Sequence, residues 1–296
     1  MPYALIRGIK ELCIIGQDIG AYEKLPELLN NISKIDGNFW VRLLYIHPDH
    51  FPLEILDLME RDSRFLPYFD IPFQHASTKI LTSMNRIGSQ IFHTEASNLR
   101  FARRGEHGNE KGEKNRYIKL IQTIRNRLPN AVIRSTFMLG FPGETDEDFA
   151  ELLDFQQKAS LDWLGCFTYS REEGTASYSM KKRVPAKIAA TRKQIIEEKQ
   201  VPITEKNMDR FAGQTLDVLI EEQIAGTDLN IVNEKTQYSE TFWLGRLYCQ
   251  APDIDGSAVI VSGKTTKKNG NKLQAGNLVP CKVITRRGFD LEVRLL

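Results

Sequence analysis

The sequence predicts an α/β protein in which an incomplete parallel (βα) barrel is followed by a small β-barrel. Five strand-like apolar runs alternate with helical patterns in the first two thirds of the chain, and such alternation is typical of a parallel sheet or barrel. After Gly213 the pattern changes to short strand-like segments separated by turns that carry Gly and Asn, which favours a small β-barrel. We therefore expect two domains, 1–209 and 210–296.

The elements of the first domain are bounded by helix and turn signals. Strands are expected at 12–15, 40–45, 68–71, 132–139 and 163–169, and helices at about 25–32, 53–61, 77–85, from 145, and at 186–210. The helix start at Thr145 is the best defined, because Thr145 can cap it and acidic residues 146–148 occupy its first turn. Residues 89–115 interrupt the alternation with a polar stretch, which predicts an inserted surface loop, either solvated or in contact with a charged partner.

Composition and charge place few limits on function. The chain has 296 residues, a net charge of +2 and 26% charged residues, so no strong field indicates a nucleic-acid or membrane partner. No apolar run approaches about 20 residues, the length of a membrane-spanning helix. The amino terminus lacks a signal-peptide pattern. We expect a cytoplasmic protein with no membrane partner.

The cysteine pattern argues against a metal site. Only four cysteines are present, Cys13, Cys166, Cys249 and Cys281. No two of them lie within the few residues that zinc and iron–sulfur ligand loops require. Cys13 and Cys166 lie in apolar strand-like runs, where a cysteine serves as a small buried side chain. No metal ligand is therefore predicted in this chain.

Five stretches of the first domain, together with the C-terminal region, carry a resemblance to a known family. The stretches are 8–18, 42–48, 70–86, 134–149 and 167–176. Motif by motif, they resemble the methylthiotransferases, a branch of the radical S-adenosylmethionine (radical SAM) enzymes. The C-terminal region resembles the family's TRAM domain. The fold implied is a partial radical SAM barrel that lacks its first strand, followed by TRAM.

Two kinds of methylthiotransferase compete within this resemblance. One modifies an adenosine beside the tRNA anticodon, and the other modifies the β-carbon of an aspartate in ribosomal protein S-twelve. Four phrases are similar to the ribosomal-protein type, at 42–45, 163–170, 172–175, and 245–246 with 251–256. The expected function is therefore a transferase acting on ribosomal protein S-twelve. The tRNA enzyme and a non-catalytic remnant are the alternatives.

The resemblance also implies cofactors that this chain is not expected to hold alone. Family members cleave S-adenosylmethionine at a 4Fe–4S cluster bound by a CxxxCxxC loop, and a second 4Fe–4S cluster lies in an N-terminal domain. Both sets of cluster ligands are absent from this sequence, whose first strand resembles the family's second. The chain by itself is expected neither to bind a cluster nor to turn over. The sequence does not indicate the electron donor or the sulfur donor.

The remaining positions resemble an S-adenosylmethionine site, and each has a plainer structural alternative. Asp18 or Gln17 would hold the methionine ammonium, or cap a loop. His75 would orient the coenzyme or substrate, or be a buried hydrogen-bonded ring. Arg134 would pair with the methionine carboxylate, and Glu144 would bind the ribose, unless its glycine-rich phrase only shapes a turn. The full predicted set is Gly16, Gln17, Asp18, Gln74, His75, Arg134, Thr136, Gly140, Gly143 and Glu144.

Charged residues in two further phrases are candidates for contact with the substrate. Arg171, Glu172 and Glu173 follow the fifth strand and would meet the protein substrate, or form a solvated cluster. Asp253 and Asp255 in TRAM would suit a basic ribosomal protein, or hold a β-turn. A contact of TRAM with RNA stays open because a basic hairpin follows, which contains Lys264, Lys267, Lys268 and Lys272.

Overall fold

The computed structural model of the protein describes residues 7–86, 92–93, 100–101, 110–225, 241–261 and 273–296. A parallel sheet contains β1 (Glu11–Ile15), β2 (Trp40–Leu44), β3 (Phe65–Asp70), β6 (Val132–Leu139) and β7 (Trp163–Thr168), in that spatial order. The two-residue strands β4 (Phe92–His93) and β5 (Arg100–Phe101) pair separately. The α/β fold class expected from the sequence is confirmed.

The described part of the chain contains six α-helices. They are α1 (Leu25–Ser33), α2 (Ile55–Arg61), α3 (Thr78–Ser83), α4 (Glu110–Arg127), α5 (Asp146–Ala159) and α6 (Ala186–Asp209). The predicted start of α5 is confirmed by a capping box, in which Thr145 Oγ1 accepts from the Asp148 backbone and Asp148 Oδ2 accepts from the Thr145 backbone. The prediction of a surface loop over residues 89–115 is wrong at the carboxyl end of that range, because α4 begins at Glu110. No described helix is long and apolar enough to cross a membrane.

The C-terminal domain is a closed barrel of five strands. It consists of β8 (Thr215–Ala225), β9 (Thr241–Arg246), β10 (Ala258–Val261), β11 (Leu278–Arg287) and β12 (Asp290–Leu295), in the order β10-β12-β11-β8-β9. Closure pairs every strand on both sides and leaves no open edge. The basic hairpin at 264–272 lies outside the described residues.

The two faces of the parallel sheet differ in what covers them. On β6, Ile133, Phe137 and Leu139 are buried in the core that the helices share. Arg134 and Thr136 lie on the opposite face and are half-buried, since residues two apart point the same way. We call this second side the polar face.

The barrel closes the amino end of the polar face. Trp40, Leu66, Tyr68, Val132 and Trp163 pack in one apolar cluster with residues of the barrel. A backbone contact reinforces it, because the Trp163 indole donates a 2.8 Å hydrogen bond to the Cys249 carbonyl. The polar face is therefore covered at its amino end by the barrel, and its candidate site lies toward the carboxyl ends of the strands.

Candidate functional site

Loops that follow the strands are joined at the carboxyl edge of the sheet. The amide of Ile19 donates to the Tyr45 carbonyl at 3.2 Å, and that of Gln74 to the Thr136 carbonyl at 2.8 Å. The amide of Tyr169 donates to the Leu139 carbonyl at 2.8 Å. These bonds bring the predicted residues after β1, β3 and β6 to one edge.

Asp18 caps a turn at this edge. Its Oδ1 accepts hydrogen bonds from the backbone of Gly20 at 3.1 Å and of His47 at 3.0 Å, and its Oδ2 contacts His50 Nδ1. Burial alone would raise the pKa of Asp18, but the hydrogen bonds from His50 and His47 outweigh it and lower the pKa. The capping alternative is therefore present in the structure, while Gly16 and Gln17 stay exposed.

Gln74 and His75 form a strained corner after β3. Gln74 has a φ of 66°, a conformation that non-glycine residues adopt rarely and that concentrates at functional sites. His75 is fully buried, and its Nδ1 accepts a 2.9 Å hydrogen bond from the Ser77 backbone. Burial lowers the pKa of His75 to about 4, so the ring is neutral at pH 7 and carries its proton on Nε2.

Glu144 is held inside the chain. Its two oxygens accept hydrogen bonds of 2.6 Å each from the Gly140 backbone and from Arg192 Nη1, and its side chain is fully buried. Burial raises the pKa of this carboxyl. In this arrangement Glu144 shapes the turn of residues 140–144, and the predicted ribose contact is not available to it.

The two glycines of this turn have different surroundings. Gly140 has a φ of 78°, and a Cβ added there would lie 2.5 Å from the Ala189 Cβ on α6. Gly143 has a φ of 89°, and an added Cβ would meet no atom within 4 Å. Both need the backbone freedom of glycine. Only Gly140 also needs the absence of a side chain, because α6 packs against it.

Arg134 is fixed on the polar face by two carboxylates. Its Nη1 lies 3.1 Å from Asp70 Oδ1, and its Nε lies 3.7 Å from Asp255 Oδ1. Its Nη2 makes no hydrogen bond to a described residue. A Cβ added at Gly165 would make ordinary van der Waals contacts, 3.7 Å from this Nη2 and 3.9 Å from Thr136 Oγ1 and Phe167 Cε2, so Nη2 lies beside a position of β7 that carries no side chain.

Three buried polar atoms near the same edge lack a hydrogen-bond partner among the described residues. They are Gln74 Oε1, His75 Nε2 and Tyr169 Oη. The Tyr169 ring packs edge-on against Phe141 at 5.3 Å. Buried polar groups are normally satisfied, so Gln74 Oε1 and Tyr169 Oη fit a site that takes a polar ligand. His75 Nε2 instead lies 3.9 Å from Glu144 Oε2, behind the turn of residues 140–144. Sequence reasoning missed Tyr169, although it directly follows β7 and thus occupies a position typical of site residues in barrels.

The residues predicted to meet the substrate lie in two different environments. Arg171, Glu172 and Glu173 are exposed after β7. The Arg171 guanidinium stacks 3.6 Å from the centre of the Tyr178 ring, and the Tyr178 hydroxyl donates to Glu173 at 3.3 Å. These contacts hold together an exposed charged loop, which contains both of the predicted glutamates.

Asp253 and Asp255 do not form one acidic surface. Asp253 is exposed, with a φ of 64°, but the Asp255 side chain is only 1% exposed. Asp255 accepts hydrogen bonds from the Tyr68 hydroxyl at 2.6 Å and the Ala251 backbone at 2.9 Å. The prediction of a surface role for Asp255 is therefore wrong, because the residue is buried between barrel and sheet.

Two family models match this chain. The model of the Radical SAM superfamily matches residues 3–155, and that of the TRAM domain matches residues 212–296. Among solved structures, a radical S-adenosylmethionine methyltransferase, TsrM, from Kitasatospora setae gives a TM-score of 0.40 at 17% identity, over 58% of this chain and 30% of that chain.

Curated relatives match over most of this chain. A Treponema denticola protein named "Ribosomal protein uS12 methylthiotransferase RimO" is 42% identical over 97% of this chain and 60% of its own length. Proteins with the same name from Syntrophomonas wolfei and Aquifex aeolicus are 35% and 34% identical, over 96% and 97% of this chain and 56% and 58% of their own lengths. The chain thus spans 60% or less of the length of these relatives.

Proposed function

The chain belongs to the radical SAM superfamily, and from that membership we propose that it contributes the coenzyme-binding sheet and the TRAM barrel to a methylthiotransferase. The proposed substrate is the β-carbon of an aspartate in ribosomal protein S-twelve. The name of the relatives supports this choice, as do the phrases at 42–45 and 251–256. A cytoplasmic location follows, because ribosomal proteins are cytoplasmic substrates.

Of the two kinds of cofactor that the superfamily implies, only one fits the described residues. No group of three or more His, Cys, Asp and Glu side chains in the described part of the chain could hold a metal ion. Three of the four cysteines are buried and separate from one another in sequence, and Cys13 stands alone on β1. An iron–sulfur cluster therefore does not fit these residues.

S-adenosylmethionine fits the polar face and its carboxyl edge. The single observation that carries this assignment is the Arg134 guanidinium, whose Nη2 makes no hydrogen bond to a described residue and lies beside Gly165, a position without a side chain. A carboxylate is well matched to such a group. When it is bound and cleaved reductively, the coenzyme supplies the chemistry of hydrogen-atom abstraction from an unactivated carbon.

The residues around Arg134 would orient the rest of the coenzyme. Gln17, exposed after β1, is the proposed acceptor for the methionine ammonium. Gln74 Oε1 offers a buried acceptor, and Tyr169 Oη a buried hydroxyl that can donate or accept. The turn of residues 140–144 would bring backbone close to the adenosine, with Glu144 and neutral His75 holding the turn from behind.

The exposed loop after β7 supports a basic protein as substrate. Glu172 and Glu173 carry negative charge at the mouth of the site, where charge complementarity would speed encounter and fix register. A contact of TRAM with RNA has separate support, because Lys282 and Arg294 are exposed and directly opposed across β11 and β12. Like charges opposed in this way favour an anionic partner.

A binding experiment separates these partners. Purified ribosomal protein S-twelve and a tRNA are each titrated against the chain and against a Glu172→Gln, Glu173→Gln double variant. We expect the ribosomal protein to bind, the double variant to lose roughly tenfold in affinity, and added salt to weaken binding. A matched control is Glu197→Gln with Glu198→Gln, two exposed acids on α6.

Other outcomes would contradict the proposal in identifiable ways. Binding of tRNA without binding of the ribosomal protein would favour a tRNA-modifying enzyme. Binding of neither would favour a non-catalytic remnant. Equal losses in both double variants would show that the acidic loop has no special part in recognition.

A further inference from the structure

Asp255 belongs to the barrel by sequence but lies against the sheet by position. It accepts a hydrogen bond from the Tyr68 hydroxyl of β3, 187 residues away, and its side chain is 1% exposed. A carboxylate is placed in such a buried position only at a cost in solvation, which its partners must offset. Its partners therefore indicate what it does.

The charged partner of Asp255 is Arg134. Asp255 Oδ1 lies 3.7 Å from Arg134 Nε, an ion pair at a distance too long for a hydrogen bond. Asp70 Oδ1 takes Nη1 of the same guanidinium at 3.1 Å. The two carboxylates thus hold two of the three guanidinium nitrogens and leave Nη2 toward Gly165.

A single carboxylate would hold the guanidinium differently. Arginine and carboxylate groups tend to pair through two parallel hydrogen bonds. With Asp255 neutral or absent, Asp70 is free to take Nη1 and Nη2 together, which would occupy the nitrogen that is otherwise left without a hydrogen bond. The carboxylate from the barrel prevents this by holding the Nε side.

We propose that Asp255 is a positioning residue, through which the TRAM barrel keeps Arg134 oriented to receive the carboxylate of the coenzyme. The inference rests on the proposed function, because it takes the polar face as the coenzyme site. It gives the barrel a second role besides contact with a substrate, because the barrel supplies a carboxylate, Asp255, to the coenzyme site of the sheet.

The charge on Asp255 makes this arrangement sensitive to pH. Burial raises the pKa of Asp255 to about 6, against the lowering effect of Tyr68, the Ala251 backbone, Arg134 and Arg42. Buried Cys249 also feels this carboxylate, which raises the pKa of its thiol further. Below about pH 6, Asp255 takes up a proton and its hold on Arg134 Nε weakens.

The test measures binding of S-adenosylhomocysteine to the full chain by calorimetry between pH 5.5 and 7.5. We expect Asp255→Asn to weaken binding about fivefold to tenfold at pH 7.5, the loss typical of one charged contact. Because about three quarters of Asp255 is protonated at pH 5.5 when its pKa is about 6, the wild type should lose about threefold between pH 7.5 and 5.5. The variant should show no such change. Asp217→Asn, an exposed carboxylate of the same barrel, should behave as the wild type.

Whether Asp255→Asn binds the probe more weakly or more tightly than the wild type separates a positioning role from a purely electrostatic one. If Asp255 only reduced the positive potential near Arg134, its neutralisation would tighten binding of the anion. Unchanged or tighter binding in Asp255→Asn would therefore overturn the inference. The pH profile of the wild type gives an independent reading that does not depend on how well the variant folds.

An Arg134→Gln variant distinguishes failure of this inference from failure of the proposed function. If Arg134→Gln binds the probe as the wild type does, or if the wild type does not bind it, the coenzyme site is wrongly placed and both proposals fall. If Arg134→Gln weakens binding but Asp255→Asn does not, only the positioning role is refuted.

Discussion

Replacing Arg42 by methionine should destabilise the joint between sheet and barrel. Arg42 is fully buried, and its Nε forms a 2.6 Å ion pair with Glu11 on β1. Its Nη1 donates a 2.8 Å hydrogen bond to the Tyr248 carbonyl, and its guanidinium lies 4.6 Å from the centre of the Tyr68 ring. Methionine fills a similar volume but makes none of the polar contacts.

The size of the loss follows from what is left behind. Removing one partner of a buried ion pair costs about 3–5 kcal/mol, because the other charge remains buried without compensation. Here Arg246 Nη2 still pairs with Glu11 at 2.6 Å, so the remaining carboxylate keeps one cation. We therefore expect the lower end of that range, about 3 kcal/mol.

Urea unfolding at pH 7, followed by tryptophan fluorescence, measures this loss as a difference in free energy of unfolding. The matched control is Arg287→Met, which breaks an exposed pair with Glu292 at 2.8 Å and should cost less than about 1 kcal/mol. A loss below about 1 kcal/mol for Arg42→Met, or equal losses in the two variants, would refute the reasoning that this buried pair stabilises the joint.

Two further predictions concern the carboxyl edge of the sheet. Gly140→Ala should lower the free energy of unfolding by about 3 kcal/mol, because the alanine is strained in the left-handed conformation and clashes with Ala189. Gly143→Ala should lower it by only about 1–2 kcal/mol, because strain is its one cost. Equal losses of the two variants in urea unfolding would count against the close approach of Gly140 to Ala189. The next prediction concerns His75, whose pKa is about 4 in the folded chain, below its unfolded value of 6.5. As the pH falls, the unfolded chain therefore takes up the proton first. The free energy of unfolding should fall as the pH drops from about 6.5 toward 4. His75→Gln should reduce this fall by up to about 3 kcal/mol in unfolding curves at stepwise pH, and an unchanged slope would contradict it.

Local signals in the sequence located most of the fold. The strand expected at 132–139 is β6 itself, and the helix expected at 186–210 is α6 to within one residue. The cap at Thr145 could be recognised because its partners lie within three residues. No helix is expected at α4, because its first turns are polar. The signal that could have indicated it is the apolar periodicity of its second half, Tyr117, Leu120, Ile121 and Ile124.

Long-range pairing limited the prediction of the site. Arg134 and Thr136 were placed on one face by the period of a strand, which is a local rule. Glu144 was assigned to a ribose because nothing nearby indicates that Arg192, 48 residues later, holds it. Sequence periodicity reports which face a side chain lies on, but not which distant charge meets it there.

The phrases that indicate a ribosomal-protein substrate have a structural meaning different from the one their charges suggest. Arg42 belongs to one of these phrases and Arg246 and Asp255 to another, yet all three are buried where the barrel meets the sheet. Glu11 joins Arg42 to Arg246, and Tyr68 and Arg134 join Asp255 to the polar face. These residues therefore fix how the TRAM barrel is docked against the sheet. Exposed charges of the TRAM phrase, such as Asp253, are then presented in a geometry that the buried pairs have already fixed.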